Sequence, residues 1–174
     1  GQGWCGMLAL KYQLTCGLSA IAVEKDGDCG GVWDYNEKKN WGVALSTQIT
    51  SSMTFTEISD FGMHHTGTHF PIWRDILKYL RDYRDFFGLE NHQKFNWFVE
   101  SADREGDYWV TKSADGEVLK SRNLVVSCGA SVLPRGKEDF GNFFDKYKGE
   151  IMHSGEYKKP GNTFDGKRVL ILGG

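Results

Sequence analysis

The stretch Gly1-Gln2-Gly3-Trp4-Cys5-Gly6 opens the chain and runs directly into an apolar, helix-compatible segment over residues 7–14. Its spacing is G-x-G-x-x-G. In a dinucleotide-binding turn the first glycine permits a tight bend from strand to helix, the second lets backbone approach a pyrophosphate, and the third lets helix pack closely on strand. The helix N-terminus then offers N–H groups that have no intrahelical acceptor. Ser19-Ala20-Ile21-Ala22-Val23-Glu24 follows as a short β-prone run. It ends in an acid about 20 residues beyond the glycines, where that fingerprint places the carboxylate that accepts from a ribose hydroxyl. The plainer reading of Glu24 is a solvated strand end, and the spacing favours the ribose reading. Together these features predict an α/β chain with a Rossmann-like, FAD/NAD(P)-binding three-layer fold.

Composition narrows the function classes. With 174 residues, 40% hydrophobic and 14% aromatic, the chain has enough apolar surface for one folded domain. The 21 basic and 23 acidic residues leave a net charge of −2, which speaks against a nucleic-acid footprint or a polybasic membrane anchor. Cys5, Cys16, Cys29 and Cys128 form no C-x-x-C pair and no metal-ligand spacing, so they read as reduced thiols of a cytoplasmic or cytosol-facing protein. No apolar run approaches the roughly 20 residues of a membrane helix. An endoplasmic-reticulum location would follow from a C-terminal anchor outside this segment. His64, His65 and His69 cluster, but no acid or cysteine completes a ligand set, and no metal is expected.

Along the chain, the first helix should run from Gly3 to about Gly17, the usual place for a C-terminal glycine. Asp26-Gly27-Asp28-Cys29-Gly30-Gly31-Val32-Trp33 is dense in turn formers and ends on a large aromatic ring. It reads as a loop held against something flat, or as a loop closed by a hydrophobic plug. Residues 41–63 lack periodicity and should hold no helix, only short extended pieces at 44–47 and 53–57. After Pro71, apolar residues at Ile72, Ile76, Leu77, Leu80, Tyr83 and Phe87 recur at three and four, predicting an amphipathic helix that ends at Gly88. Strands at 95–101, 108–112 and 117–120, separated by turn-forming clusters, predict an inserted antiparallel β-meander. Residues 123–129 read as a buried parallel strand ending at Gly129, where backbone meets a ligand. Residues 134–148 read as a surface connection. The last stretch, a charged entry and then Val169-Leu170-Ile171-Leu172-Gly173-Gly174, repeats the logic of strand followed by glycine. The division expected is a dinucleotide-binding domain over 1–166 and the first strand of a second one over 167–174.

Two glycine turns, Glu24, the Gly30-Gly31-Val32-Trp33 loop and the meander together resemble the flavin-containing monooxygenases, the class B flavoprotein oxygenases. The most specific stretch is Tyr147-Lys148-Gly149-Glu150-Ile151-Met152-His153-Ser154-Gly155-Glu156-Tyr157. It is similar to the family's F-x-G-x-x-x-H-x-x-x-[FY] pattern, with tyrosine in the first position. The resemblance covers the FAD-binding half. It implies FAD contacts for Gly1, Gln2, Gly3, Trp4, Cys5, Gly6, Glu24, Val32, Trp33, Val99 and Gly129, with Val99 supplying the backbone that meets the adenine. It implies a fingerprint made of Tyr147, Gly149, His153 and Tyr157, whose histidine supports a domain junction, and an NADP turn beginning at Gly173.

The resemblance further implies that NADPH reduces bound FAD and that one oxygen atom of O2 passes, through a flavin C4a-hydroperoxide, to a soft nitrogen or sulfur nucleophile. The substrate is then a small-molecule amine or thioether. Thr50, followed by Ser51, stands where the family carries an asparagine near the reacting flavin carbon. Asparagine offers two N–H donors there and threonine one rotatable hydroxyl. A Baeyer–Villiger oxygenase is the neighbouring reading, but its fingerprint carries tryptophan at the Tyr157 position. A flavin disulfide reductase needs a cysteine partner for Cys29, which the acidic loop lacks. A partial, inactive flavin-binding module is the reading from a different class.

Overall fold

The computed structural model describes residues 1–64, 67–129 and 134–173. The histidine cluster, through His65, and Gly174 at the second glycine turn therefore fall partly outside the described residues. Helix α1 (Trp4–Thr15) starts as Gly3 leaves extended backbone at φ −76° and ψ −170°. It ends in a Schellman arrangement, with Gly17 N–H donating to the Leu14 carbonyl (2.9 Å) and Leu18 N–H to the Gln13 carbonyl (3.1 Å). The chain then turns into β1 (Ala22–Val23), which pairs in parallel with β2 (Gln93–Lys94), Ala22 opposite Gln93 and Val23 opposite Lys94. Two further bonds extend this pairing past the strands: Glu24 N–H to the Lys94 carbonyl (2.9 Å) and Trp97 N–H to the Glu24 carbonyl (2.8 Å).

Between these strands runs α3 (Trp73–Phe86), preceded by the single turn α2 (Met53–Thr56). Asp75 accepts from the Ile72 N–H at 3.1 Å, placing a carboxylate on the orphan donors of the first turn. Of the expected apolar set Ile76, Leu77, Leu80 and Tyr83 are buried, together with Trp73 and Tyr79. Ile72 instead stands at the N-cap and is exposed, and Lys78 and Asp82 pair on the outer face. Met7 and Leu10 of α1 and Ile76, Tyr79, Leu80 and Tyr83 of α3 share one core with Cys29, Ile49, Ile58, Met63 and Leu89. The rings of Trp4 and Tyr79 meet at 5.8 Å.

The meander is β3 (Val99–Glu105), β4 (Tyr108–Ser113) and β5 (Val118–Ser121), antiparallel in that order, with Glu105 opposite Tyr108 across a two-residue turn. The sequence reading begins the first meander strand at residue 95, whereas β3 begins at Val99. The expected run is broken at Asn96, which stands at φ 55°, a left-handed conformation that asparagine tolerates better than most residues. Lys94 of β2 pairs with Glu117 just before β5, tying the meander back to the parallel pair.

Four expectations are corrected. Residues 44–47 form a turn closed by Thr47 N–H to the Ala44 carbonyl, with Ala44 N–H donating to the Thr47 hydroxyl. Residues 53–56 are helical, with Thr56 Oγ1 bonded back to the Ser52 carbonyl. In both places local hydroxyl-to-backbone bonds replace a strand ladder. Residues 123–129 form no strand among the described residues, and Val125 and Val126 are exposed. A buried strand needs hydrogen-bonded neighbours on its backbone, and no described segment pairs with this one. The apolar run 169–172 is likewise exposed and unpaired among the described residues.

Two consequences are measurable. Tyr79 Oη donates to the Phe61 carbonyl at 2.5 Å and accepts from the Ile58 N–H at 2.7 Å, whereas Tyr83 Oη, equally buried, has no partner among the described residues. Tyr79→Phe should therefore cost about 2 kcal/mol in urea unfolding, the cost of stranding two buried backbone groups, and Tyr83→Phe about 0. Cys29 is fully buried, and burial together with the Asp28 carboxylate pushes its thiol up to about 11, against a smaller opposing effect of Arg84 and Arg81. Near neutral pH, mass-resolved alkylation of the native protein should label the exposed Cys5, Cys16 and Cys128 and leave Cys29 unlabelled until the chain unfolds.

Candidate nucleotide site

Gln2 sits just before the helix, so its backbone groups have no helical partners and must find others. Its N–H donates to Glu24 Oε2 at 2.6 Å, and its carbonyl accepts from Gly30 N–H at 2.9 Å. The side chain is used as well: Nε2 donates to the Gly1 carbonyl at 3.1 Å and Oε1 accepts from Gln93 Nε2 at 2.5 Å. One fully buried residue thus joins the glycine turn, the acid at the end of β1, the 26–34 loop and β2. Glu24 is itself buried, and its second oxygen accepts from Asp26 N–H at 3.1 Å. Each carboxylate oxygen can take two donors, so Glu24 keeps acceptor capacity for a further hydroxyl.

The three glycines serve different purposes. A Cβ on Gly1 would stand 2.3 Å from the Ser127 carbonyl oxygen, and one on Gly6 would stand 1.9 Å from the Gly1 carbonyl oxygen. Both positions are closed by the protein's own backbone. Gly3 differs: its φ of −76° suits any residue, and its nearest neighbour would be Gly31 Cα at 3.5 Å, an ordinary contact. The fold does not require glycine there, whereas a pyrophosphate lying against the backbone would. No side chain caps α1 among the described residues, which leaves its first N–H groups facing the same place.

The 26–34 loop closes the other side. Gly31 stands at φ 57°, and a Cβ there would come within 2.8 Å of Gly3 Cα, so two chain segments meet with only hydrogens between them. Gly30 rests on Leu77 of α3. One turn further along α3, Arg81 pairs with Asp28 at 2.9 Å, and Arg84 pairs with the other Asp28 oxygen at 2.8 Å. Lys39 bridges Asp26 (2.8 Å) and Asp34 (3.4 Å). The loop delivers Val32, exposed, and Trp33, half-buried and packed against the core, as a single turn of 3-10 helix next to the glycine turn.

Residues 1–6, Glu24, Val32 and Trp33 are therefore brought together. The remaining candidates lie elsewhere or at the edge of this group. Thr50 and Ser51 are exposed, and Ser51 Oγ shares a hydrogen bond of 2.7 Å with Thr56; no hydrogen bond ties either residue to the glycine turn among the described residues. Val99 begins β3 opposite Ser113, while the residue bonded to Glu24 is Trp97. Gly129 is exposed, and Ser127, two residues earlier, lies against Gly1. The Tyr147 ring lies over Gly149, where a Cβ would collide with it. His153 Nδ1 accepts from Gly155 N–H at 3.0 Å and caps a short 3-10 turn, and Tyr157 stacks near Phe164 at 5.8 Å. Gly173 is exposed.

Sequence reasoning missed Gln93, Leu77, Arg81 and Arg84 as supports of the site. Leu77 and Arg81 were visible only as members of the two faces of α3. Nothing in their spacing says which loop the helix will meet.

Comparison with known proteins accounts for this arrangement. The family described as flavin-binding monooxygenase-like matches residues 1–174. Dimethylaniline monooxygenase [N-oxide-forming] 4 of Rattus norvegicus is 29% identical over 186 residues, covering 99% of this chain and 33% of that protein. Flavin-containing monooxygenase 5 of the same species is 30% identical over 184 residues, covering 99% of this chain and 34% of that protein. The chain thus spans about a third of the length of these curated relatives. Among solved structures, a cyclohexanone monooxygenase mutant from Rhodococcus sp. Phi1 bound to NADP+ superposes with a TM-score of 0.64 at 25% identity, covering 74% of this chain and 25% of that one. OTEMO in complex with FAD and NADP reaches 0.66 at 19% identity over 79% of this chain and 26% of that one, and bears on the fold alone. The glycine turn on Glu24, the Rossmann-like fold with its inserted meander and the match along the whole sequence give one conclusion: the chain belongs to the flavin-binding monooxygenase-like family.

Proposed function

We propose that this chain forms the FAD-binding part of an NADPH-dependent monooxygenase that transfers one oxygen atom of O2 to a soft nitrogen or sulfur nucleophile, the other atom leaving as water. The observation that carries the reading is the cradle of Gly3, Gly31 and the uncapped start of α1 beside the buried Glu24 carboxylate. These groups fit the flavin nucleotide: N–H donors and bare backbone for the pyrophosphate, and a carboxylate acceptor for the ribose. When bound, FAD supplies the redox and oxygen chemistry. The protein's own residues bind, orient and exclude water. Gln2 holds Glu24 toward the ribose position, and Val32 with Trp33 covers the ring system. Thr50 and Ser51 offer hydroxyl donors on the exposed side, Val99 and Gly129 offer backbone, and Tyr147, Gly149, His153 and Tyr157 shape the segment leading to the second domain. Residues 1–166 form the FAD-binding domain in this reading, and 167–174 begin the NADP-binding one at Gly173.

The relatives named for N-oxide formation and Tyr157 at the fingerprint's last position favour an amine or thioether substrate. The cyclohexanone monooxygenase likeness favours a Baeyer–Villiger reaction on a ketone as the second reading. The free thiols support a cytosol-facing protein. No helix among the described residues is long and apolar enough to cross a membrane.

The test is direct. The purified chain should carry flavin absorbance and, joined to an NADP-binding domain, should consume O2 with NADPH when a tertiary amine or thioether is supplied. Uptake driven only by cyclohexanone would transfer the assignment to the second reading, and the absence of any bound flavin would sink both. Gly3→Ala should fold with unchanged Tm and bind FAD at least about tenfold more weakly, since only the ligand needs that space. Gly6→Ala should lower Tm, because its new methyl collides with the Gly1 carbonyl. A Gly3→Ala protein with native flavin affinity would refute the assignment of the cradle.

A further inference from the structure

Lys158, the residue that follows the fingerprint, is buried, with 7% of its surface exposed. Its Nζ donates to the Trp41 carbonyl at 2.5 Å and approaches the Gly42 carbonyl at 3.5 Å. Its own backbone carbonyl accepts from Leu45 N–H at 2.6 Å. Three residues earlier the chain is pressed onto the same loop, since a Cβ on Gly155 would stand 2.1 Å from the Asn40 carbonyl oxygen. The fingerprint's end therefore grips residues 40–45 at three points.

The far side of that loop holds the ring-covering turn. Val43 N–H donates to the Val32 carbonyl at 3.0 Å. Gly42, at φ 81°, passes so close that a Cβ would stand 2.9 Å from the same oxygen. Val43 also packs with Trp73 and Leu77 beneath Trp33 and Tyr35. A chain of backbone contacts thus leads from Lys158 through Trp41 and Gly42 to Val32.

We propose that Lys158 is a positioning residue: by holding the carbonyls of Trp41 and Gly42 it fixes the Val43–Val32 hydrogen bond, and so sets where the Val32–Trp33 turn stands over the flavin. The consequence for flavin rests on the FAD reading above; the clamp itself does not. Burying an ammonium is costly unless its hydrogens are met by acceptors. Burial and the nearby charge of Lys39 hold this one below the ordinary lysine range. Lys39, itself paired with Asp26 and Asp34, also lies over the Trp41 ring at 4.7 Å, with Lys25 over the same ring at 4.6 Å. A packing role alone would be filled more cheaply by methionine. The directed contact to two carbonyls is what only a long cationic donor supplies.

The test uses the full chain with Lys158→Met, Lys158→Arg and Gly155→Ala. Hydrogen exchange is followed by peptide, alongside FAD titration and the flavin absorption spectrum. Lys158→Met and Gly155→Ala should accelerate exchange in peptides covering 31–43 at least about tenfold while the 99–121 meander stays as in wild type, and both should weaken FAD about tenfold with a changed spectrum. Lys158→Arg should restore most of the protection. Unchanged exchange over 31–43 in a folded Lys158→Met, or acceleration spread equally over the meander, overturns the proposal. If Lys158→Met does not fold, Lys158→Gln decides by the same two readings. A wild-type chain that binds no FAD refutes the functional reading, and the exchange comparison still decides the clamp.

Discussion

The site depends on the two backbone hydrogen bonds of Gln2, one given to Glu24 and one received from Gly30. Gln2 precedes a helix and stands outside any ladder, so neither group is satisfied by secondary structure. Left unpaired at full burial, each would cost about 1–3 kcal/mol. The acid and the loop have to come to it. That requirement brings residues 22 and 28 positions away into contact and gives the glycine turn its walls. It also gives Glu24 a fixed orientation that a strand end alone would not provide.

The loop on the far wall holds its place through α3. Leu77, Arg81 and Arg84 follow one another along the helix at the four- and three-residue steps that share a face, and they meet Gly30 and Asp28 in turn. The ion pairs are partly exposed, so each adds little stability by itself. Their effect is geometric: two guanidinium groups take separate oxygens of one carboxylate, which fixes the loop in register with the helix. The same helix supplies Ile76, Tyr79, Leu80 and Tyr83 to the core shared with α1. The nucleotide cradle and the hydrophobic core are thus two sides of one packing arrangement.

Much of this was legible from residues alone. The α1 and α3 boundaries lie within a residue or two of the capping and periodicity signals, because Gly17 and Gly88 take the left-handed conformation that ends a helix and Pro71 fixes the backbone just before one. The meander strands were legible for the same reason, each being bounded by turn residues. Where hydroxyl-rich stretches could satisfy themselves locally, at 44–47 and 53–57, extended structure was expected and turn or helix was found. Residues 123–129 show the opposite limit. An apolar, β-prone run specifies a strand only if a neighbour pairs with it.

By itself, the sequence determined the α/β class, the two helices, the meander and the glycine turn with its acid, since each rests on local spacing and on conformations that particular residues favour. Only the tertiary structure decided that Gln2 joins four segments, that Gly3 is the glycine the fold does not need, and that buried Lys158 reaches the loop behind Val32. The physical reason is that these contacts run largely through backbone carbonyls and N–H groups. Every residue but proline carries both, so their partners leave no mark in the order of side chains.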